Sequence, residues 1–411
     1  MNTYGCRSCG APLTHIFADL GASPLSNSFL RFDQLNRMEP FYPLVAYVCG
    51  NCFLVQLLEY ETPHRIFNEY AYFSSFSDSW LNHARHYAEM AIARFGLSQV
   101  SRVIEVASND GYLLQYFKAA GVGVTGIEPA ANVAKEAERK GIRTIVEFLG
   151  AATARDIVEQ VGQADLVAGN NVLAHVPDLN DFIDGLAVLL KPSGVLTLEF
   201  PHVLRLIAEG QFDTIYHEHF SYFSLAAAAT ALARHGLQVF DVEELPTHGG
   251  SLRVYAAHGP HARELRTVHP EQLLARERAA GLDQLGAYSA FDVKVRAAKR
   301  SLLRFLIEER EQGKTVVGYG APAKGNTLLN YCGVRTDLLD YTVDRNPYKQ
   351  GLYLPGTHVP IFGPEKIAET RPDYVLILPW NIRDEIIGQM AHIREWGAKF
   401  VVPIPRVEVV P

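Results

Sequence analysis

Tyr216, His217, Glu218 and His219 occupy four consecutive positions, so every side chain in this stretch can give or take a proton. Histidine titrates near neutrality and an adjacent carboxylate can orient or tune it, which suits general acid–base work. A metal site fits less well, because the spacing is not the His-x-x-x-His that brings two imidazoles onto one helical face. Four of the five cysteines form two Cys-x-x-Cys pairs, Cys6 with Cys9 and Cys49 with Cys52. Such pairs resemble two knuckles closing a tetrahedral zinc site. Two disulfides, or a redox dithiol, are the competing uses of these thiols. With all four positions filled, the metal would be structural, and the long gap between the pairs would form a small lobe of its own. Cys332 stands alone and reads as a small buried hydrophobe.

A second chemical signal is Val103-Ile104-Glu105-Val106-Ala107-Ser108-Asn109-Asp110-Gly111, an apolar run breaking into small polar residues and a glycine. The pattern reads as strand, tight turn, helix. The next strand, Val122 to Ile127, ends in Glu128-Pro129, where a carboxylate can hold a ribose by its hydroxyls. A dinucleotide and S-adenosylmethionine both use such a unit. The loop favours the second, because Ala107 and Asn109 replace glycines that a pyrophosphate would need, leaving Gly111. Glu105 suits the cationic amino-acid end of S-adenosylmethionine.

These groups need elements to position them. At 411 residues the chain exceeds one core, so two or three domains are expected. Hydrophobic content of 48% and charged content of 20% fit a soluble globular protein, and a formal charge of −7 without basic runs argues against nucleic-acid binding. No signal peptide or membrane-spanning segment is read, so a cytoplasmic protein without a membrane partner is expected. Residues 1–65 read as the zinc lobe and 66–260 as an α/β domain with alternating strands and helices. In the latter, Glu69 to Trp80, with Tyr70 among its rings, suits a lid over a cofactor or a surface loop packed on itself. The strand Asp165 to Gly169 exits into Asn170 and Asn171, which places these residues and His175 on the ligand side of a parallel sheet. A strand Val195 to Phe200 follows, and Leu237–Glu243 with Leu252–Ala257 form an antiparallel hairpin.

Residues 261–313 read as a helical connector and 314–411 as a second, smaller Rossmann-type unit. Its glycine turn contains Gly320, Lys324 and Asn326, and Asp344 ends the next strand in the place of a ribose-binding acid. Lys324 could face a phosphate. A plain scaffold domain accounts for the same residues.

Taken together, the paired cysteines, Glu69 to Trp80, Glu105 to Gly111, Tyr216 to Phe220 and Gly318 to Asn326 resemble the S-adenosylmethionine-dependent sugar C-methyltransferases of deoxysugar biosynthesis. The resemblance spans nearly the whole chain. It implies a zinc lobe, a methyltransferase domain and a carboxyl-terminal Rossmann-like domain that takes a nucleotide sugar. It also implies methylation beside the ketone of a dTDP-linked 4-keto deoxysugar, most often at C3, for natural-product biosynthesis. His219 is then the base that forms an enolate, Tyr216 and Glu218 orient the sugar, and His175 is a further contact. An O- or N-methyltransferase, a nicotinamide-dependent dehydrogenase and a non-catalytic binding protein are the other functions open at this point. The sugar, its 3-substituent, the stereochemistry and the oligomeric state are not read from the sequence.

Overall fold

The computed structural model describes residues 4–62, 74–76 and 78–411. The amino-terminal lobe is an antiparallel sheet of β1 (His15–Ser23), β2 (Tyr42–Val48) and β3 (Val55–Leu57). Alternation along β2 buries Leu44, Ala46 and Val48, so one face packs inward. The two cysteine pairs sit in matching turns. The Gly10 amide donates to the Cys6 carbonyl at 2.8 Å and the Phe53 amide to the Cys49 carbonyl at 3.0 Å. Gly10 and Phe53 both adopt left-handed backbone, at φ 75° and 57°.

The central sheet contains β4 (Arg102–Val106), β5 (Gly123–Ile127), β6 (Thr144–Ile145), β7 (Ala164–Asn170) and β8 (Leu190–Pro201). A short β9 (Ser221–Tyr222) leaves this domain and pairs with β3, tying the zinc lobe to the segment that holds Tyr216 to His219. The hairpin β10 (Leu237–Leu245) and β11 (Ser251–His258) completes the order β6-β5-β4-β7-β8-β11-β10. All neighbours are parallel except the pairs made by β11. Helices cover both faces, which is why Val103, Ile104 and Val106, on alternate sides, are all buried. The strand order reverses between β4 and β7, opening a crevice beyond their carboxyl ends.

The carboxyl-terminal sheet runs β12 (Val316–Tyr319), β13 (Thr342–Val343), β14 (Ile361–Phe362), β15 (Tyr374–Ile377), β16 (Lys399–Val402) and β17 (Glu408–Val410), in the order β14-β13-β12-β15-β16-β17. It is parallel apart from β17. The helical segment before it does more than connect. Phe291, in the helix Phe291–Glu311, stacks on Phe17 of the zinc lobe with ring centroids 4.6 Å apart. Tyr288, Val295, Leu302 and Leu306 join the same core as residues of the lobe and of the carboxyl-terminal sheet. The lobe also bonds that domain directly, through reciprocal backbone bonds between Leu30 and Tyr353 at 3.0 and 2.9 Å.

Candidate functional site

The crevice between β4 and β7 is built around a strained turn. Ala107, Asn109 and Gly111 all take positive φ, at 56°, 49° and 76°. A Cβ on Gly111 would lie 2.4 Å from Ile142 Cδ1, so only glycine fits there. At the tip of β5, Glu128 shapes the turn: Oε2 accepts the Asn109 amide at 3.0 Å and Oε1 the Ala130 amide at 2.9 Å. Pro129, between these anchors, is half-buried. Both oxygens of Glu105 and both amide atoms of Asn170 are buried without a hydrogen-bond partner. The Tyr112 hydroxyl lies against them but outside hydrogen-bond geometry, and burial pushes the Glu105 carboxyl well up. Buried polar atoms are rarely left open, so these orphans fit the polar, charged end of a bound cofactor. Of the run Glu69 to Trp80 read as a lid, the part up to residue 73, with Tyr70, and residue 77 lie outside the described residues. In the described part of that run, the Ser74 amide donates to Asn109 Oδ1 at 2.9 Å, which ties it to the turn.

The four cysteine sulfurs lie within 4.8 Å of one another. Cys6 and Cys52 are 3.6 Å apart and Cys9 and Cys49 3.5 Å. Ligands about 2.3 Å from a tetrahedral zinc stand roughly 3.8 Å apart, so the thiols fit that ion. Donors also surround the sulfurs, including Gln56 Nε2 at 3.2 Å from Cys6 and the Asn51 amide at 3.4 Å from Cys49, as suits thiolates. This is a structural zinc site, and no fifth protein ligand is gathered around it among the described residues.

The four consecutive titratable residues do not act as a block. His219 Nδ1 donates to the Thr214 carbonyl at 2.9 Å, because that oxygen can only accept. In the neutral ring Nε2 is therefore the acceptor, and the Tyr216 hydroxyl donates to it at 2.8 Å. Burial, then the nearby His175, holds His219 well below its usual range and keeps it neutral. The His175 and His219 rings lie 4.7 Å apart, and burial lowers His175 to about 4. Glu218 reaches the zinc lobe with one oxygen, Oε1 accepting from Asn27 Nδ2 at 2.7 Å, while Oε2 is buried without a partner. His217 faces that lobe too, with Nε2 donating to the Pro43 carbonyl at 3.1 Å.

Other residues join this site from positions without a local motif. His248, in the turn between β10 and β11, takes φ 54° and reaches Asn171 Nδ2 at 3.1 Å. Trp80 lies 5.2 Å from His248 and 5.0 Å from His83. Behind them, fully buried Glu199 bonds His83 at 2.9 Å, Arg253 at 2.8 Å and Thr247 at 2.9 Å. The two adjacent glycines after His248 were the one available signal for a special turn.

In the carboxyl-terminal unit, Gly320 forms its turn at φ 89° and Asp344 accepts the Ala321 amide at 2.7 Å. Lys324 Nζ bonds Asn381 Oδ1 at 2.8 Å and sits 4.6 Å from the centre of the Trp380 ring. Trp380 in turn donates to Asp213 Oδ2 at 2.7 Å, directly before Thr214 and the His219 segment. Asn326 is buried and points to the zinc lobe, donating to the Ser26 carbonyl at 3.4 Å. Between the two domains lies a cleft of about 720 Å³ lined by Arg205, Glu244, Gly250, Trp380 and Arg383.

The sheet order, the glycine turn with its strand-end acid and the orphaned polar atoms define a class I S-adenosylmethionine-dependent methyltransferase with an added zinc site. Family models agree along the chain: a zinc binding domain at residues 6–67, a methyltransferase domain at 80–242 and a C-methyltransferase C-terminal domain at 246–405. The chain is 38% identical to C-methyltransferase NovU of Streptomyces niveus over 408 residues, covering 98% of this chain and 96% of that one. It therefore belongs to the S-adenosylmethionine-dependent C-methyltransferases. A ubiquinone biosynthesis O-methyltransferase of Bordetella avium is 32% identical over 155 residues, 34% of this chain and 63% of its own. Among solved structures, the 1,6-didemethyltoxoflavin-N1-methyltransferase of Burkholderia thailandensis matches 52% of this chain and 97% of its own, with 18% identity and a TM-score of 0.36. No helix among the described residues is long and apolar enough to cross a membrane.

Proposed function

We propose that the acceptor is a nucleotide-linked 4-keto deoxysugar, a dTDP sugar methylated at the carbon beside its ketone, C3, in deoxysugar biosynthesis for a natural product. The observation that carries this reading is the Tyr216–His219 pair: a neutral imidazole with a fixed tautomer, beside His175 at the exit of β7. Carbon is a poor nucleophile until a proton leaves it, so carbon methylation needs a base that stays unprotonated at neutral pH. S-adenosylmethionine supplies an electrophilic methyl when bound. Glu105, Ala107, Asn109, Gly111, Glu128, Pro129 and Asn170 hold it in this reading, and Tyr70 is the further contact that the sequence offers. His219 acts as the base through Tyr216: the phenol oxygen takes the α-proton as its own hydroxyl proton moves to Nε2, and His175 with Glu218 orients the sugar. Gly320, Lys324, Asn326 and Asp344 belong to the unit assigned to the nucleotide half.

The test is turnover of a panel of dTDP-4-keto deoxysugars, read by mass and carbon NMR, for wild type and His219→Asn. Losing a general base should cut turnover roughly 10²- to 10⁴-fold with little change in cofactor affinity. Deuterium wash-in at the α-carbon in heavy water should slow in parallel. Full activity in His219→Asn, with loss in His217→Asn, would move the base to another residue. A methyl found on oxygen or nitrogen would reject the enolate route.

A further inference from the structure

The zinc lobe reaches the acid–base segment through one side chain. Asn27, four residues after β1 ends, donates from Nδ2 to Glu218 Oε1 at 2.7 Å across 191 positions of sequence. Glu218 Oε2 is buried with no hydrogen-bond partner, and so is the hydroxyl of Ser26 next to Asn27. Glu218 itself is 3% exposed. The backbone around Asn27 is held from the far side by the carboxyl-terminal domain. Asn326 bonds the Ser26 carbonyl, Lys349 Nζ lies 5.2 Å from the centre of the Phe29 ring, and Leu30 pairs with Tyr353. All three domains thus meet where Glu218 keeps one oxygen open.

We infer that Asn27 is a positioning residue of the methyl-transfer site: by occupying Oε1 of Glu218 it leaves Oε2, the oxygen without a partner, to accept from a hydroxyl of the acceptor. The inference rests on the proposed acceptor reading. An unsatisfied buried oxygen is costly unless a ligand completes it, and the adjacent His219 would place that ligand at the base. The Asn27 amide does a second thing. Burial raises Glu218 to about 7, while the Asn27 donor and the Lys349 ammonium favour its ionised form. Lys349 is itself 3.8 Å from Asp344, and the Glu218 backbone lies against His175, whose ring is 4.7 Å from that of His219. Removing the amide removes one of two groups that favour the carboxylate, so the midpoint of Glu218 should rise.

The experiment compares wild type, Asn27→Ala, the near-isosteric Asn27→Asp and Glu218→Gln, with the dTDP-4-keto deoxysugar panel as probe. Zinc content and S-adenosylmethionine affinity serve as checks on the fold. Asn27→Ala should lower kcat about tenfold and move upward in pH the limb that Glu218→Gln abolishes. Asn27→Asp, which faces Glu218 with a second carboxyl, should move it further. A structural role alone would not move that limb. Wild-type kcat and pH profile in either folded variant would overturn the inference. If wild type methylates none of the panel, the acceptor reading falls instead, and the link is judged without turnover. The infrared carboxylic-acid band lost in Glu218→Gln should then titrate at higher pH in Asn27→Asp, and an unchanged midpoint would overturn the inference.

Discussion

The central and carboxyl-terminal sheets use one device and finish it differently. Each has a strand ending in a glycine turn and a next strand ending in an acid that accepts backbone amides: Glu128 those of Asn109 and Ala130, Asp344 those of Ala321 and Asn346. In the central turn, Glu105 and Asn170 remain buried and open. In the carboxyl-terminal turn, Lys349 bonds the Ala321 carbonyl at 2.9 Å and Lys324 bonds Asn381, so its polar groups are met from within the protein. Glycine and acid specify the shape of a turn. Whether the turn waits for a ligand is decided by the groups it leaves unsatisfied.

The strongest way to break this comparison is to remove the two acids in turn. Glu128→Ala deletes charge-assisted bonds worth about 1.5–3 kcal/mol each, both to the turn and to any ribose. Cofactor affinity measured by calorimetry should fall at least about 100-fold. Asp344→Ala should leave that affinity at the wild-type value and act instead on thermal stability and on the Michaelis constant of the acceptor. Equal losses of affinity in both variants would mean that the turns do not have separate tasks.

A smaller effect is expected where the closed turn meets the segment that leads to Tyr216 and His219. Burial raises the Asp213 carboxyl from 3.8 to about 6, opposed by Lys324 and by the Trp380 hydrogen bond. A carboxyl with a raised folded value favours folding in its protonated form. Its contribution is present in full below the unfolded value and is lost as pH rises through about 6. At 1.36 kcal/mol per unit, the loss is at most about 3 kcal/mol. Asn at this position keeps an acceptor for Trp380 and does not titrate. The melting temperature of Asp213→Asn should therefore gain on wild type as pH rises from about 4 to 6. A constant difference would mean that Asp213 stays ionised beside Lys324 throughout.

The readable parts of this molecule were local. Apolar runs and glycine turns place β4, β5, β7 and the β10–β11 hairpin within a few residues of their observed positions, because each is specified by its own pattern. In contrast, β8 starts at Leu190, five residues before the expected Val195 and through the expected Pro192-Ser193-Gly194 turn. The cysteine pairs were legible for the same reason, since a knuckle is a property of a few adjacent residues. What escaped were bonds between distant residues. His83 reaches Glu199 across 116 positions, Trp380 reaches Asp213 across 167, and Asn27 reaches Glu218 across 191. Within Tyr216 to His219 the residue types were plain. Their division, with Tyr216 and His219 toward His175 and with His217 and Glu218 toward the zinc lobe, depends on tertiary packing that no spacing encodes.

The smallest expected effect tests whether the closed turn ever opens. Lys324 is held by Asn381 and by the Trp380 face, and burial lowers its pKa while Asp213 opposes that shift. If the nucleotide half of the acceptor binds here, its phosphates must draw the ammonium away from partners it already has, so the net gain is modest. Lys324→Met keeps an apolar stem over Trp380 and removes only the charge. The Michaelis constant for a dTDP-4-keto deoxysugar should rise by roughly 5- to 10-fold, the scale of about one exchanged charge-assisted hydrogen bond. Cofactor affinity should stay unchanged, because the lysine belongs to the other sheet. An unchanged Michaelis constant would leave Lys324 as an interdomain tie whose charge serves Asp213. Weaker cofactor binding in its place would show that the two turns share one ligand site.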